Sequence, residues 1–151
     1  MPRIETRIVT HALPPIDERG TCGMEGAEII FHGRVRNTEA GRTIVGLEYE
    51  HYEEMAESAL SEVAHEAGGR YEIDELVCIH RVGMVPAGAA SLRVQICSPH
   101  RRAALDAMDW FISEIKARVP IWKWGVLDDG SRFPAEGGRL PLEPPAPSPD
   151  R

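Results

Sequence analysis

Apolar and polar residues alternate with period two over several short runs of this chain, and with helical spacing over two longer ones. The first alternating run is residues 3–9, Arg-Ile-Glu-Thr-Arg-Ile-Val, which predicts a strand ended by the Pro14-Pro15 pair. A polar linker with Gly20, Gly23 and Gly26 follows. From there Ala27, Ile29, Phe31, Gly33 and Val35 fall on one side, and Glu28, Ile30, His32, Arg34 and Arg36 on the other, giving a second strand with a basic end. Residues 37–41 read as a turn. Beyond it Thr43, Val45, Leu47, Tyr49 and His51 alternate with Ile44, Gly46, Glu48 and Glu50, so these two strands are expected to pair as a hairpin with Arg34 and Arg36 near its tip.

Met55, Ala59, Val63 and Ala67, joined by Ala56, Leu60 and Ala64, form an i, i+4 apolar stripe opposite Glu54, Glu57, Glu62 and His65. That spacing predicts an amphipathic helix with a solvated acidic face, stopped by Gly68-Gly69. Leu76 to Val82 and Ser91 to Cys97 read as a second hairpin around residues 83–88, with His80 as a satisfied structural histidine. The stripe Ala104, Met108, Phe111 and Ile115 predicts a second helix from Ser98 to Arg118, capped by Ser98, with Pro99 in its first turn and Val119-Pro120 at its end. Lys123 then lies on an extended or irregular segment, and residues 126–133 suit a small hairpin or turn. From Pro134 onward six of eighteen residues are proline. The expected organisation is one domain over 1–133 and a tail, 134–151, that is disordered or draped over a partner.

Composition narrows the function. At 151 residues with 42% apolar content the chain has enough material for one core. Its net charge of -7 argues against a broad nonspecific nucleic-acid surface, so any anion must meet a local cluster of basic side chains. No apolar run approaches the roughly 20 residues that span a bilayer, and the N-terminus lacks the apolar core of a signal peptide. Cys22, Cys78 and Cys97 make no CxxC pair and leave an odd count, which suits a reducing cytoplasm better than a disulfide framework or a zinc site. They are expected to be core or half-buried residues.

Two places break local rules. Lys116 and Lys123 stand on either side of Pro120, and Lys123 is flanked by Trp122 and Trp124. Apolar neighbours can desolvate an ammonium and lower its pKa, the usual route to a reactive or proton-donating lysine; the alternative is a pair of solvated lysines near a helix C-terminus. His100 and Arg101 occupy a helix N-terminus, where the backbone already favours anions. A bound phosphate or carboxylate would resolve that conflict, as would a surface ion pair with one of the many acids.

Five segments, Phe31-His-Gly-Arg-Val-Arg-Asn37, Glu50-His-Tyr52, His80-Arg-Val-Gly83, Ser98-Pro-His-Arg101 and Lys116-Ala-Arg-Val-Pro-Ile-Trp-Lys123, together resemble the large, catalytic subunit of molybdopterin synthase in order and spacing. The resemblance runs from about residue 4 to 133. It implies an α+β fold of the α/β-hammerhead kind, built of antiparallel hairpins and two main amphipathic helices. It also implies a cytoplasmic homodimer within a heterotetramer, carrying a small ubiquitin-like sulfur-carrier subunit at each end. The implied reaction inserts two sulfurs into cyclic pyranopterin monophosphate, delivered as a thiocarboxylate on the carrier's C-terminal Gly-Gly. Lys116 and Lys123 match the catalytic pair. Arg34, Val35, Arg36, His100 and Arg101, with Lys116, Lys123, Trp124 and Gly125, match segments that hold substrate. No cofactor and no metal are implied. In one respect the sequence departs from the pattern: members often carry a basic residue and then an acid after the second lysine, where this chain has Trp124 and Gly125. Two other classes fit the same residues, a scaffold that binds a ubiquitin-like partner and a phosphate-ligand binding module, neither with chemistry of its own.

Overall fold

The structure is a computed structural model that describes residues 1–16 and 23–135; Cys22, Gly20 and the chain beyond Ala135 lie outside the described residues. The elements are β1 (Arg3–Val9), β2 (Ala27–Arg34), β3 (Thr38–Glu39), β4 (Arg42–Thr43), β5 (Gly46–His51), α1 (Glu53–Arg70), β6 (Glu75–Arg81), β7 (Gly83–Pro86), β8 (Ala90–Ser98), α2 (Arg101–Arg118), β9 (Ile121–Val126) and β10 (Arg132–Pro134). The architecture is α+β, with two four-stranded sheets and two helices.

The first sheet has the order β1-β6-β8-β2. Its inward positions are the alternating apolar residues of β6 and β8, Leu76 and Cys78 facing Ile96 and Val94 across the register. Both helices lie on that face: Leu60 and Val63 of α1 and Phe111 of α2 are buried in the same cluster. Burying side chains of this size stabilises by about 2 kcal/mol each, and this cluster is the main core. β6 and β8 pair antiparallel, as the expected second hairpin requires, but β1 joins β6 in parallel, Arg3 beside Glu75 and Val9 beside Arg81.

The second sheet, β10-β9-β5-β7, is antiparallel and closes over a smaller core of Val35, Ile44, Leu47, Val85 and Ala135. Here the expected first hairpin is corrected. β2 does not pair with β5; it pairs with β8 in the first sheet, while β5 lies between β7 and β9 in the second. The chain between them forms its own two-stranded hairpin, β3-β4, which separates the two strands. Alternation identifies which residues of a strand face inward, and it carries no information about which strand lies alongside.

Helix boundaries moved at two points. Gly68 and Gly69 sit inside the last turn of α1, which ends at Arg70 with Tyr71 as its C-cap. A Cβ at Gly68 would come 2.8 Å from Pro2 Cγ and 3.3 Å from Ile4 Cδ1, so the glycine serves the close approach of the first strand and does not stop the helix. Ser98 does not cap α2. The N-cap is His100, without a side-chain cap, and the buried Ser98 hydroxyl donates to the His100 carbonyl. At the other end Val119-Pro120 terminates α2 as expected, and Lys123 lies on a regular strand. The β9-β10 connection closes with the Leu127 N–H on the Ser131 carbonyl at 2.9 Å. Among the described residues no helix is long and apolar enough to cross a membrane.

Candidate functional site

The junction of the two sheets with the C-terminal half of α2 leaves a pocket of about 230 Å³. Its helix wall is Ile112, Ile115 and Lys116; its strand walls include Phe31 and Arg34 from β2 and Ile121, Trp122 and Lys123 from β9. Pro120 makes this possible. It ends α2 one residue after Val119 and turns the chain into β9, so two lysines seven positions apart approach one cavity from different elements.

Lys123 is half-buried, and its register partner across β5 is Tyr49, which also lines the pocket. Burial pulls the Lys123 pKa below the ordinary lysine value; the charge of Glu39 pushes back, and Lys116 and Arg36 add to the lowering. Lys116 is exposed at the rim. Trp122 shares the pocket wall with Lys123, its ring centroid 4.8 Å from that of Tyr52. Trp124 does not. It lies beside Glu48 across β5, donates its indole N–H to Glu50, and carries the Arg132 guanidinium 4.7 Å from its ring centroid. Of the two tryptophans that flank Lys123 in sequence, only Trp122 lines the pocket.

Polar groups behind the lysines escaped the sequence reading. The Tyr49 hydroxyl lies 3.0 Å from Ser91 Oγ, and Ser91 is in turn 3.4 Å from the Gly33 carbonyl. Burial raises the Tyr49 pKa. His80, buried and edge-on to Tyr49 at 5.4 Å, donates from Nδ1 to the Arg81 carbonyl at 2.9 Å; burial lowers its pKa to about 4, so the ring is neutral and offers Nε2 as an acceptor. The structural reading of His80 is correct in its hydrogen bond, yet the residue also lines the pocket. Nothing in the local alternation marked Tyr49 or Ser91 as pocket residues, since their convergence depends on the pairing of β5 with β9 and of β2 with β8.

The other expected substrate residues divide. Arg34 lines the pocket and donates to the Gly88 carbonyl at 3.1 Å. Arg36 is 82% exposed, with Nη2 3.9 Å from Glu39. Val35 packs in the second core, and its backbone N–H and carbonyl are taken by Ala89 and Gly88, at 2.9 and 2.7 Å. Gly125 is buried under the Phe133 ring. His100 and Arg101 are exposed at the start of α2, an unbroken 18-residue helix whose last turn carries Lys116. At ~1.5 Å per residue His100 stands roughly 24 Å along the helix from Lys116. Among the described residues no cluster of three His, Cys, Asp or Glu is arranged to hold a metal. Cys78 and Cys97 are free and buried.

The MoaE protein family model matches residues 12–118, which contain four of the five segments and the first three residues of the fifth, Lys116 to Arg118. This chain belongs to the MoaE protein family. It is 39% identical over 114 residues to the molybdopterin synthase catalytic subunit of Pyrococcus abyssi, covering 76% of each chain. It is 43% identical over 105 residues to that of Oryza sativa subsp. indica, covering 70% of this chain and 54% of the relative, so it spans about half the length of the plant protein. Among solved structures it is similar to molybdopterin synthase from Staphylococcus aureus, with a TM-score of 0.72 and 31% identity over 83% of this chain and 93% of that one. It is also similar to a chain of the complex of subunits 1 and 2 of molybdopterin-converting factor from Helicobacter pylori, with a TM-score of 0.70 and 26% identity over 87% and 90%.

Proposed function

We propose that this chain is the catalytic subunit of a molybdopterin synthase, a sulfurtransferase that moves sulfur from the thiocarboxylated C-terminal Gly-Gly of a small ubiquitin-like carrier to cyclic pyranopterin monophosphate. The observation that carries the reading is the convergence of Lys116 and Lys123 on one pocket, with Arg34 at its wall, in a member of this family. The carrier tail and the phosphorylated pterin are both anions, and they can meet only where fixed cations offset their repulsion. The pocket supplies those cations in a partly desolvated setting, where each interaction is stronger than in water.

In this reading the thiocarboxylate sulfur bonds to a carbon of the pterin side chain, and the oxygen displaced there leaves with a proton. Lys123, whose pKa is lowered by burial, is the proton donor. Lys116, at the rim, faces the tail's acyl carbon, where water attacks, the bond from that carbon to sulfur breaks, the spent carrier leaves as its carboxylate and the sulfur stays on the pterin. Arg34, Arg36, His100 and Arg101 hold the phosphate and the tail. His100 and Arg101 reach a lysine pair only if they come from a second copy, so the working unit is a homodimer with one carrier at each end. The catalytic domain is residues 1–133, its last strand continuing into Pro134. Free Cys78 and Cys97 and the carrier chemistry suit the cytoplasm.

The test is a single incubation of purified protein, thiocarboxylated carrier and cyclic pyranopterin monophosphate, read for the dithiolene product. Product formation that requires all three components is expected. Carrier binding without product would leave a scaffold, and pterin binding alone a phosphate-ligand module.

A further inference from the structure

An irregularity in the first sheet holds Ser91 at the pocket. Gly33 lies opposite Leu92 and Arg34 opposite Ala90, so Ser91 is an extra residue of β8 with no partner on β2. Such bulges bend a strand and re-aim a side chain. This one brings Ser91, 5% exposed, to the wall that the two sheets share. From there its hydroxyl spans them: Ser91 Oγ donates to the Gly33 carbonyl of the first sheet at 3.4 Å and lies 3.0 Å from the Tyr49 hydroxyl of the second.

The direction of these bonds fixes what the pocket offers a ligand. Ser91 has one proton and gives it to a carbonyl, which can only accept; the Tyr49 hydroxyl therefore donates to Ser91 and keeps its lone pairs for the cavity. His80 follows the same logic. Its Nδ1–H is committed to the Arg81 carbonyl at 2.9 Å, and the neutral ring leaves Nε2 as an acceptor that meets no donor among the described residues. The Tyr49 and His80 rings stand edge to face with centroids 5.4 Å apart, and both line the pocket. Lys123, the register partner of Tyr49, is bonded to neither. Acceptors this far from bulk water are costly to leave unmatched, so the pair marks a place for the N–H groups of a ligand.

The rest of the cavity distinguishes between the two ligands that could bring them. The acceptors sit at its buried end, whereas Arg34 and Lys116, both exposed, stand at its mouth. Between these ends the walls are apolar, Phe31 and Leu92 from the first sheet facing Ile112 and Ile115 from α2. A diglycine tail has amide N–H groups but no side chain to fill such walls. A reduced pterin monophosphate has flat faces for the walls, ring N–H and amino groups along one edge, and an anion at the other end for the cations.

We propose that Tyr49 and His80, with Ser91 orienting the Tyr49 hydroxyl, form an acceptor floor that selects the pterin by its N–H edge and seats it with the phosphate toward Arg34 and Lys116. The proposal rests on this pocket being the sulfur-transfer site proposed above, and it assigns the buried end to the pterin ring, leaving the mouth to the carrier tail.

The test uses the full chain and a phosphate-free tetrahydropterin as probe, with inorganic phosphate and the carrier as comparison ligands, on wild type, Tyr49→Phe and Ser91→Ala. Tyr49→Phe keeps the ring and loses the acceptor. The probe is expected to bind it about tenfold more weakly, the loss that follows from one unmatched hydrogen bond, while phosphate and carrier bind as they do to wild type. Ser91→Ala releases the Tyr49 proton to turn toward the pocket and is expected to weaken the probe in the same direction. In wild type the nitrogen NMR signal of His80 Nε2 should move when the probe is added and stay when phosphate or carrier is added. A merely structural role for Tyr49 would weaken all three ligands alike. Absence of probe binding to wild type, or unchanged probe affinity in folded Tyr49→Phe, overturns the proposal; so does a loss confined to the carrier, which would give the acceptors to the tail's amides. Should Tyr49→Phe not fold, a wild-type His80 signal indifferent to the probe overturns it. If the probe behaves as expected while the complete system forms no dithiolene, the sulfur-transfer reading fails and pterin recognition stands.

Discussion

Phe133 lies directly over Gly125: a Cβ at position 125 would stand 2.5 Å from the ring's Cζ and 2.8 and 3.0 Å from Cε1 and Cε2. The ring also carries the Arg42 guanidinium, 4.4 Å from its centroid, which links β10 to the β3-β4 hairpin. The acid that other members often carry at this place has no room here while β10 is paired to β9. Gly125→Ala is therefore expected to destabilise by about 1–3 kcal/mol, the range for overpacking a filled site. Urea unfolding checks it, and the same substitution in a Phe133→Ala background should cost clearly less.

Lys116→Ala and Lys123→Ala are each expected to lower sulfur transfer by ~10²-fold or more, the typical loss when a preorganised charge-stabilising group is removed. Lys116 is exposed and Lys123 half-buried, so neither should shift the unfolding midpoint greatly. Single-turnover assays on variants with wild-type circular dichroism decide it. Wild-type rates in either one would sink the assignment of the pair.

Much of this architecture was legible from spacing alone. The alternation in 3–9, 76–82 and 91–97 and the stripes through Leu60 and Phe111 located strands, helices and inward faces, because burial leaves a periodic trace in each element. Pairing left no such trace: β2 and β5 looked like one hairpin and belong to different sheets. The site divides in the same way. Lys116, Lys123, His100 and Arg101 stood out as charges in odd local settings, whereas Tyr49, Ser91 and His80 reach the pocket only when separate strands are brought together. Trp124, beside Lys123 in sequence, instead meets Glu50 and Arg132, partners that only the pairing of β9 with β5 and β10 brings to it.

His80 makes stability depend on pH. Burial above all, with smaller contributions from the charges of His51 and Lys123, lowers its pKa to about 4 against the bond to the Arg81 carbonyl, while the unfolded chain keeps the ordinary value of 6.5. As pH falls through 6.5 the unfolded state takes up a proton that the folded state refuses until about 4, so the stability present above 6.5 is lost progressively down to 4. The full loss is on the order of 3 kcal/mol. His80→Phe retains an aromatic ring against Tyr49 and removes the titration. Unfolding free energies of both proteins at several values between pH 4 and 7 should converge or cross as pH falls, whereas a constant difference would show that His80 is not the group responsible.

The last expectation concerns the second copy. His100 and Arg101 stand at one end of α2 and Lys116 in its last turn, and the helix contains neither proline nor glycine that would bend it. A pterin monophosphate cannot bridge the roughly 24 Å between those ends. If both ends serve one substrate, the phosphate-binding end must come from the twofold mate, so that each site takes Lys116 and Lys123 from one chain and His100 and Arg101 from the other. Lys116→Ala and Arg101→Ala homodimers would then each be impaired at both sites. Mixing them under conditions of subunit exchange should restore part of the activity, because a heterodimer places both lesions in one site and leaves the other intact. Random exchange makes half of the dimers mixed, each with one working site of two, so recovery should approach a quarter of the wild-type rate, about 25% as an upper value. Absence of recovery, with exchange demonstrated by native mass spectrometry, would mean that His100 and Arg101 serve a ligand other than the one held by Lys116 and Lys123.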